Sequence, residues 1–110
     1  MKLLNREAIL AARDLPTKEV SVPEWGGSVF VRPLSISEAE RLMKLDPKKD
    51  SYQVAVAAMA VCDKDGNSMF TEEDMAALAT KSSTAIMRIG VAVQEISALS
   101  VKAAEQVKGN

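Results

Sequence analysis

The chain contains no histidine, one cysteine (Cys62) and only four aromatic residues, Trp25, Phe30, Tyr52 and Phe70. Without histidine, the commonest general base at neutral pH and the commonest ligand of zinc, copper and non-haem iron are both missing. A single cysteine allows no intramolecular disulfide and no Cys-rich metal site. Because Cys62 follows Val61 at the end of an apolar segment, it reads as a small buried hydrophobe rather than a nucleophile. There is no Gly-rich phosphate loop of useful spacing, no Ser-His-Asp set and no Cys-His pair. The paired acids Glu38/Glu40 and Glu72/Glu73 are explained by helix starts, so the chain reads as a non-enzyme with no cofactor and no metal. Charge of either sign is not in excess: 14 basic residues face 15 acidic ones. That balance gives no support to a strongly electrostatic nucleic-acid binder. No apolar run reaches the length of a membrane span. Residues 1–7 turn polar too early for a secretory signal, so a reducing cytoplasm fits best.

What is present is a chain of 110 residues that is 47 % hydrophobic, enough for one domain over residues 1–110 with a modest core. With so few aromatics, Ala, Val, Ile, Leu and Met must fill that core, which favours closely packed helices. The pattern predicts an α+β fold, mostly α: an N-terminal helical segment over 1–15, a β-hairpin over 18–34, and about four helices over 35–107. Asn5 caps a short helix over 6–13, which Pro16 stops. Alternation in Glu19-Val20-Ser21-Val22 and Ser28-Val29-Phe30-Val31-Arg32, around Pro23 and Gly26-Gly27, predicts the hairpin. A lone hairpin is marginal in water and must lean on helices. Trp25 beside the turn has two readings, a partner anchor or a lid over the core, and the lid is favoured. Ser35 or Ser37 starts a helix to about 45, each with Glu three residues on. Asp50, with Gln53 at the box position, caps a helix over 51–62 that is apolar nearly all round and therefore central. Thr71 starts a helix to about 80, and Ser82 or Ser83 starts the longest, to about 107. There Ile86, Ile89, Val93 and Ile96 recur at three- and four-residue steps, while Met87, Val91 and Ala98 widen the stripe. A stripe that wide is either buried on two sides or meets another chain. The expected partner or oligomer surface is therefore Trp25, Val29, Val31, Ile86, Ile89, Val93 and Ile96, and a homo-oligomer that responds to concentration is expected. The polar tail, 102–110, is expected to fray.

One segment resembles a chemical site. Asp63, Asp65 and Asn67 stand at positions one, three and five of a calcium loop spanning 63–74. The sixth position, however, is Ser68, where Gly is needed, and the twelfth is Asp74, one methylene shorter than the chelating Glu. Every residue is also accounted for without metal. Asp65-Gly66-Asn67 is turn chemistry, Thr71 and Asp74 form a capping pair, and Phe70 and Met75 occupy the staple positions around it. The turn-and-cap reading is the better one, and a calcium-responsive binding protein is the alternative. A small regulatory or nucleic-acid-associated adaptor is a further alternative, which near-neutral charge disfavours.

The order of these signals resembles a known family. A valine-rich hairpin, Glu19 with Val20, Val22, Trp25, Gly26, Gly27, Val29 and Val31 through Pro33-Leu34, precedes Ser37-Glu38-Ala39-Glu40-Arg41. An Ala-rich helix, Asp63 to Gly66, Phe70-Thr71-Glu72-Glu73-Asp74 and an Ile-rich final helix follow. Over residues 15–100 this resembles the tail assembly chaperones of long-tailed bacteriophages and prophages. The resemblance implies protein–protein binding to the tape measure protein, promotion of tail-tube protein assembly around it, and no catalytic residues. It also implies action in the bacterial host cytoplasm, absence from the mature virion, and a pair of products made by frameshifting, of which this chain would be the shorter.

Overall fold

The fold is taken from a computed structural model that describes the backbone of residues 2–108 and the side chains of residues 2–97. It is α+β, as the pattern predicts. Helix α1 (Arg6–Ala11) is capped by Asn5, whose Oδ1 accepts the Ala8 N–H at 2.8 Å. None of its residues is buried. Strands β1 (Lys18–Val22) and β2 (Gly27–Val31) form the hairpin, with Val20 opposite Val29 and Lys18 opposite Val31. A 3₁₀ turn, Pro23–Trp25, joins them and closes on Gly26, whose φ of 72° lies in the left-handed region that only glycine occupies cheaply.

Helix α2 (Ile36–Met43) starts at Ser35, not Ser37. The Ser35 hydroxyl accepts the Glu38 N–H at 3.2 Å, and Glu38 Oε1 accepts the Ser35 N–H at 2.9 Å. It ends two residues before the expected 45, because Lys44 and Leu45 donate to carbonyls three residues back and tighten the last turn. Asp46, held out of the helical region by Pro47, cannot extend it. Helix α3 (Tyr52–Ala60) is capped by Ser51 rather than Asp50, its hydroxyl accepting the Val54 N–H at 3.3 Å. The Asp50 N–H is already committed to the Asp46 carbonyl at 2.9 Å. Every residue of α3 from Val54 to Ala60 is buried, so this helix is central as expected.

The helix does not continue to 62. Val61 and Cys62 leave it as strand β3, pairing with Val31 and Phe30 to make a three-stranded antiparallel sheet in the order β1-β2-β3. β-branched Val61 loses little by becoming extended, and the change pairs backbone groups of β2 that would otherwise sit unpartnered in the interior. A third strand also gives the hairpin the support that two strands lack. After the turn at 63–67, Ser68 bridges back to Cys62.

The segment expected as one helix over 71–80 begins as a 3₁₀ turn, Glu72–Asp74, and becomes α4 only over Met75–Leu78. The Asp74 carboxylate accepts the Thr71 N–H at 2.8 Å. Phe70 and Met75 pack together against Val54, Ala58 and Leu78, as a staple does. Helix α5 (Ser83–Lys108) starts behind Ser82, whose hydroxyl accepts the Ala85 N–H at 3.3 Å. Of the tail, 102–108 continues this helix, while Gly109 and Asn110 lie outside the described residues. Helix α5 packs against α3 on one side and the β1–β2 sheet on the other.

Candidate functional site

The seven residues expected to form a partner surface do not share one. Five are interior. Val31 and Ile89 are fully buried, and Ile86, Val93 and Ile96 retain 5–7 % exposure. The three- and four-residue spacing of the isoleucines and Val93 aims them between α3 and the sheet, so the centre of the stripe is core of this one chain. Val29 is half-buried against that core. Trp25 keeps 36 % of its surface at the end of the 3₁₀ turn. That turn is held to α5 by a bidentate ion pair, with Glu24 accepting from Arg88 Nε at 2.9 Å and from Nη2 at 3.0 Å. The Arg88 hydrogen bond holds the Glu24 carboxyl below its ordinary range. Ala98 lies beyond the residues whose side chains are described.

The flank of the α5 stripe is different. Met87 and Val91 are more than half exposed, and with Gly90 and Gln94 they form one wall of a groove between α5, α3 and α2. Tyr52 and Val56 supply the α3 side, and Ala39 and Leu42 the α2 side. The groove holds about 610 Å³ and no charged residue lines it. Two other hollows differ. The one between α2, α3 and residues 68–75 is lined by Glu38, Arg41, Glu72 and Glu73, and the one between β1 and α5 by Lys18, Glu19, Arg88 and Glu95. Beside the groove, Ile36 and Met43 lie seven residues apart on one face of α2, 79 % and 85 % exposed. Exposed apolar surface therefore runs from Met87 and Val91 across Tyr52 to the outer face of α2. Clustered apolar exposure of this kind marks an interaction surface. Sequence periodicity registers Met87 and Val91 as widening the stripe; only the packing shows that the widening is the exposed part. Tyr52, Ile36 and Met43 carry no comparable signal, since each is a single apolar residue near a helix start or end.

The acidic loop is a structural joint. Asp63 Oδ1 accepts the backbone N–H of Asp65 and of Asn67, each at 2.9 Å, and its Oδ2 meets Asn67 Nδ2 at 3.4 Å. These bonds, that from the Asn67 N–H foremost, hold the Asp63 carboxyl below its usual range. The left-handed residue is Gly66, with φ 87°, while Ser68 is in the bridge to Cys62. Asp74 is turned to Thr71. Among the described residues, no group of three or more His, Cys, Asp or Glu side chains converges on a point where a metal ion could sit.

The joint is anchored by a pair that sequence reasoning passed over. Arg32, at the end of β2, makes a bidentate contact with Glu38 in α2, at 2.7 and 3.0 Å. Its Nε also donates to the Gly66 carbonyl at 2.8 Å and its Nη1 to the Pro33 carbonyl at 3.1 Å. Both side chains are over nine-tenths buried. One guanidinium therefore ties the sheet, the turn and the start of α2 together. Burial pushes the Glu38 carboxyl up, but the bonds from Arg32 and the Ser35 N–H outweigh it and leave the carboxyl lowered. The same pair raises Arg32. The only local hint was an Arg ending a strand before Pro33, six residues from a capping Glu. Cys62 is buried beside this pair, and burial raises its thiol.

No helix among the described residues is long and apolar enough to cross a membrane. No curated protein matches the chain. The fold is similar to the structure of the bacteriophage HK97 tail assembly chaperone, with a TM-score of 0.64 at 19 % identity, covering 82 % of this chain and 90 % of that one. Residues 2–97 match the family model for the phage tail assembly chaperone, TAC. That match spans the hairpin, the joint and both walls of the groove, and the chain belongs to the phage tail assembly chaperone family.

Proposed function

We propose that this chain binds the tape measure protein during phage tail assembly and promotes polymerisation of the tail-tube protein around it. It does so by protein–protein contact alone, as a homo-oligomer, without cofactor or nucleic acid. It works in the bacterial host cytoplasm and is left out of the mature virion. The observation that carries this reading is the uncharged groove walled by α2, α3 and α5, rimmed by exposed Tyr52, Met87 and Val91, on a chain of this family. A long apolar helix can lay its side chains in such a groove without burying a charge. Met87, in the groove wall, offers the adaptable contact that a flexible thioether supplies. Trp25 and Val29, at the hairpin end, form a second candidate contact.

Co-expression with the tape measure protein tests the proposal. The chain should co-purify with that protein and raise its soluble yield, and Met87→Asp with Val91→Asp should abolish both while leaving the chain folded. An unchanged complex with the double variant would remove the groove from the proposal; no complex with the natural chain would remove the partner. The calcium reading receives no support from the geometry, since the Asp63 and Asp74 carboxylates already serve the turn and the cap.

A further inference from the structure

The sheet has two edges, and only one of them is closed. Backbone bonding groups alternate between the two sides of a strand. The Arg32 N–H donates to the Ala60 carbonyl at 3.1 Å, so Arg32 and Phe30 turn their bonding groups to β3, while Val31, Val29 and Gly27 turn theirs to β1. Their partners Lys18, Val20 and Val22 are satisfied in that way. The far side of β3 is covered by residues 67–69: the Asn67 carbonyl accepts the Asp63 N–H at 2.9 Å, and the Met69 N–H donates to the Val61 carbonyl at 3.2 Å. The far side of β1 is bare. The N–H and C=O groups of Glu19 and Ser21 point away from β2 and, among the described residues, bond no other backbone. Pro16 and Pro23 stand at either end of this open stretch and keep it to one short strand.

That edge is one wall of a groove. Between β1 and the α5 residues Met87, Arg88, Val91 and Glu95 lies a hollow of about 570 Å³. Lys18 reaches Glu95, Val20 packs on the core and Val22 is buried, so these three side chains face α5. Glu19 and Ser21 face the opposite side. A strand laid beside β1, ~4.8 Å away, turns its residues opposite Val20 and Val22 toward α5, where Met87 and Val91 are more than half exposed. Its residues opposite Glu19 and Ser21 stay in solvent. Glu19 is exposed and forms no ion pair among the described residues, so a cation opposite it completes a cross-strand pair. A second copy of β1 supplies none. In the antiparallel registers that let Glu19 and Ser21 bond, it sets Ser21 or Glu19 itself opposite Glu19, never Lys18, whose bonding groups face β2.

We propose that the open edge of β1 takes up an extended segment of another protein as a fourth, antiparallel strand. The segment carries aliphatic residues opposite Val22 and Val20 and a lysine or arginine opposite Glu19. Main-chain bonds to Glu19 and Ser21 hold it, and its alternate side chains select it. The site goes beyond the tape measure reading, and neither Glu19 nor Ser21 lines the α2–α3–α5 groove, so each proposal can fail alone. The probe is a blocked synthetic peptide centred on Val-Thr-Val-Lys. At millimolar peptide, amide exchange at Glu19 and Ser21 should slow at least ~10-fold, while Lys18, Val20 and Val22, already bonded to β2, change little. Ser21→Pro removes an outward N–H without touching the β1–β2 ladder and should abolish binding. Glu19→Lys should weaken this peptide roughly 5-fold and bind the Val-Thr-Val-Glu version more tightly instead. The inference is overturned if the Glu19 and Ser21 amides exchange as fast with peptide as without, or if Glu19→Lys keeps the natural preference. Protection that grows with protein concentration in the absence of peptide would put a second copy on the edge and overturn it as well.

Discussion

Glu38 is the residue on which three elements depend. Removing one partner of a buried bidentate pair leaves the other charge unpaired, which costs about 3–5 kcal/mol. Glu38→Gln should therefore lower the unfolding free energy by about 3 kcal/mol in urea, while Glu73→Gln, at an exposed position, should stay within about 0.5 kcal/mol. The pH dependence follows from the sign of the shift. The Glu38 carboxyl is lowered in the folded chain, so its contribution is complete above the unfolded value, about 4.3, and is lost as pH falls through the lower folded value. Acid should thus destabilise the natural chain below about pH 4 more steeply than Glu38→Gln. Asp63 makes a different prediction. Its carboxylate serves two backbone N–H groups of the turn, so Asp63→Ala should cost about 1 kcal/mol, equally with calcium present or chelated. Calorimetric heat from calcium that vanishes in this variant would restore the metal reading.

At the scale of elements, α5 separates two kinds of apolar residue that look alike in sequence. Ile89 is fully buried between α3 and the sheet, while Met87, two positions earlier, is 53 % exposed. Ile89→Ala should destabilise by about 2–5 kcal/mol, and Met87→Ala by less than about 0.5 kcal/mol, as read from urea midpoints. Equal losses would mean that the groove wall is core. The stripe and its start at Ser82 or Ser83 were legible, because helical periodicity and capping are local. The split between inner and outer flank was not, since it depends on what stands opposite: α3 and the sheet cover Ile86, Ile89, Val93 and Ile96 and leave Met87 and Val91 open. The same holds for β3. Val61 and Cys62 continue an apolar helical run in sequence, and only the unpaired edge of β2, distant along the chain, makes the extended state the better one.

For the whole molecule, the body and the N-terminal residues 1–11 are predicted to be energetically separate. Because α1 buries nothing, deleting residues 1–11 should shift the melting temperature of dilute protein by less than about 2 °C, a change worth only a fraction of a kcal/mol for a domain of this size. A large loss would show that α1 belongs to the core. Among the described residues, Arg32–Glu38 ties the body inside, Arg41–Glu72 joins α2 to the turn before α4, and two outer pairs, Glu24–Arg88 and Lys18–Glu95, join the hairpin to α5. The two outer pairs are solvated and contribute little to stability, but they fix how the hairpin lies on α5, and so which flank of that helix stays open.

The hairpin, the capped helix starts, the turn in place of a metal loop and the mostly helical α+β class follow from residues close together in the chain. Turn chemistry, capping and periodicity act over a few residues, and local order encodes them. The third strand, the buried Arg32–Glu38 pair and the position of the apolar groove follow from none of these. The strand and the groove join residues far apart in the chain, and the Arg32–Glu38 pair, though only six residues apart, has its energy only once burial removes water from around it. The five residues expected at the surface were apolar at the right spacing, and the same property that marked them for a partner drew them into the core first.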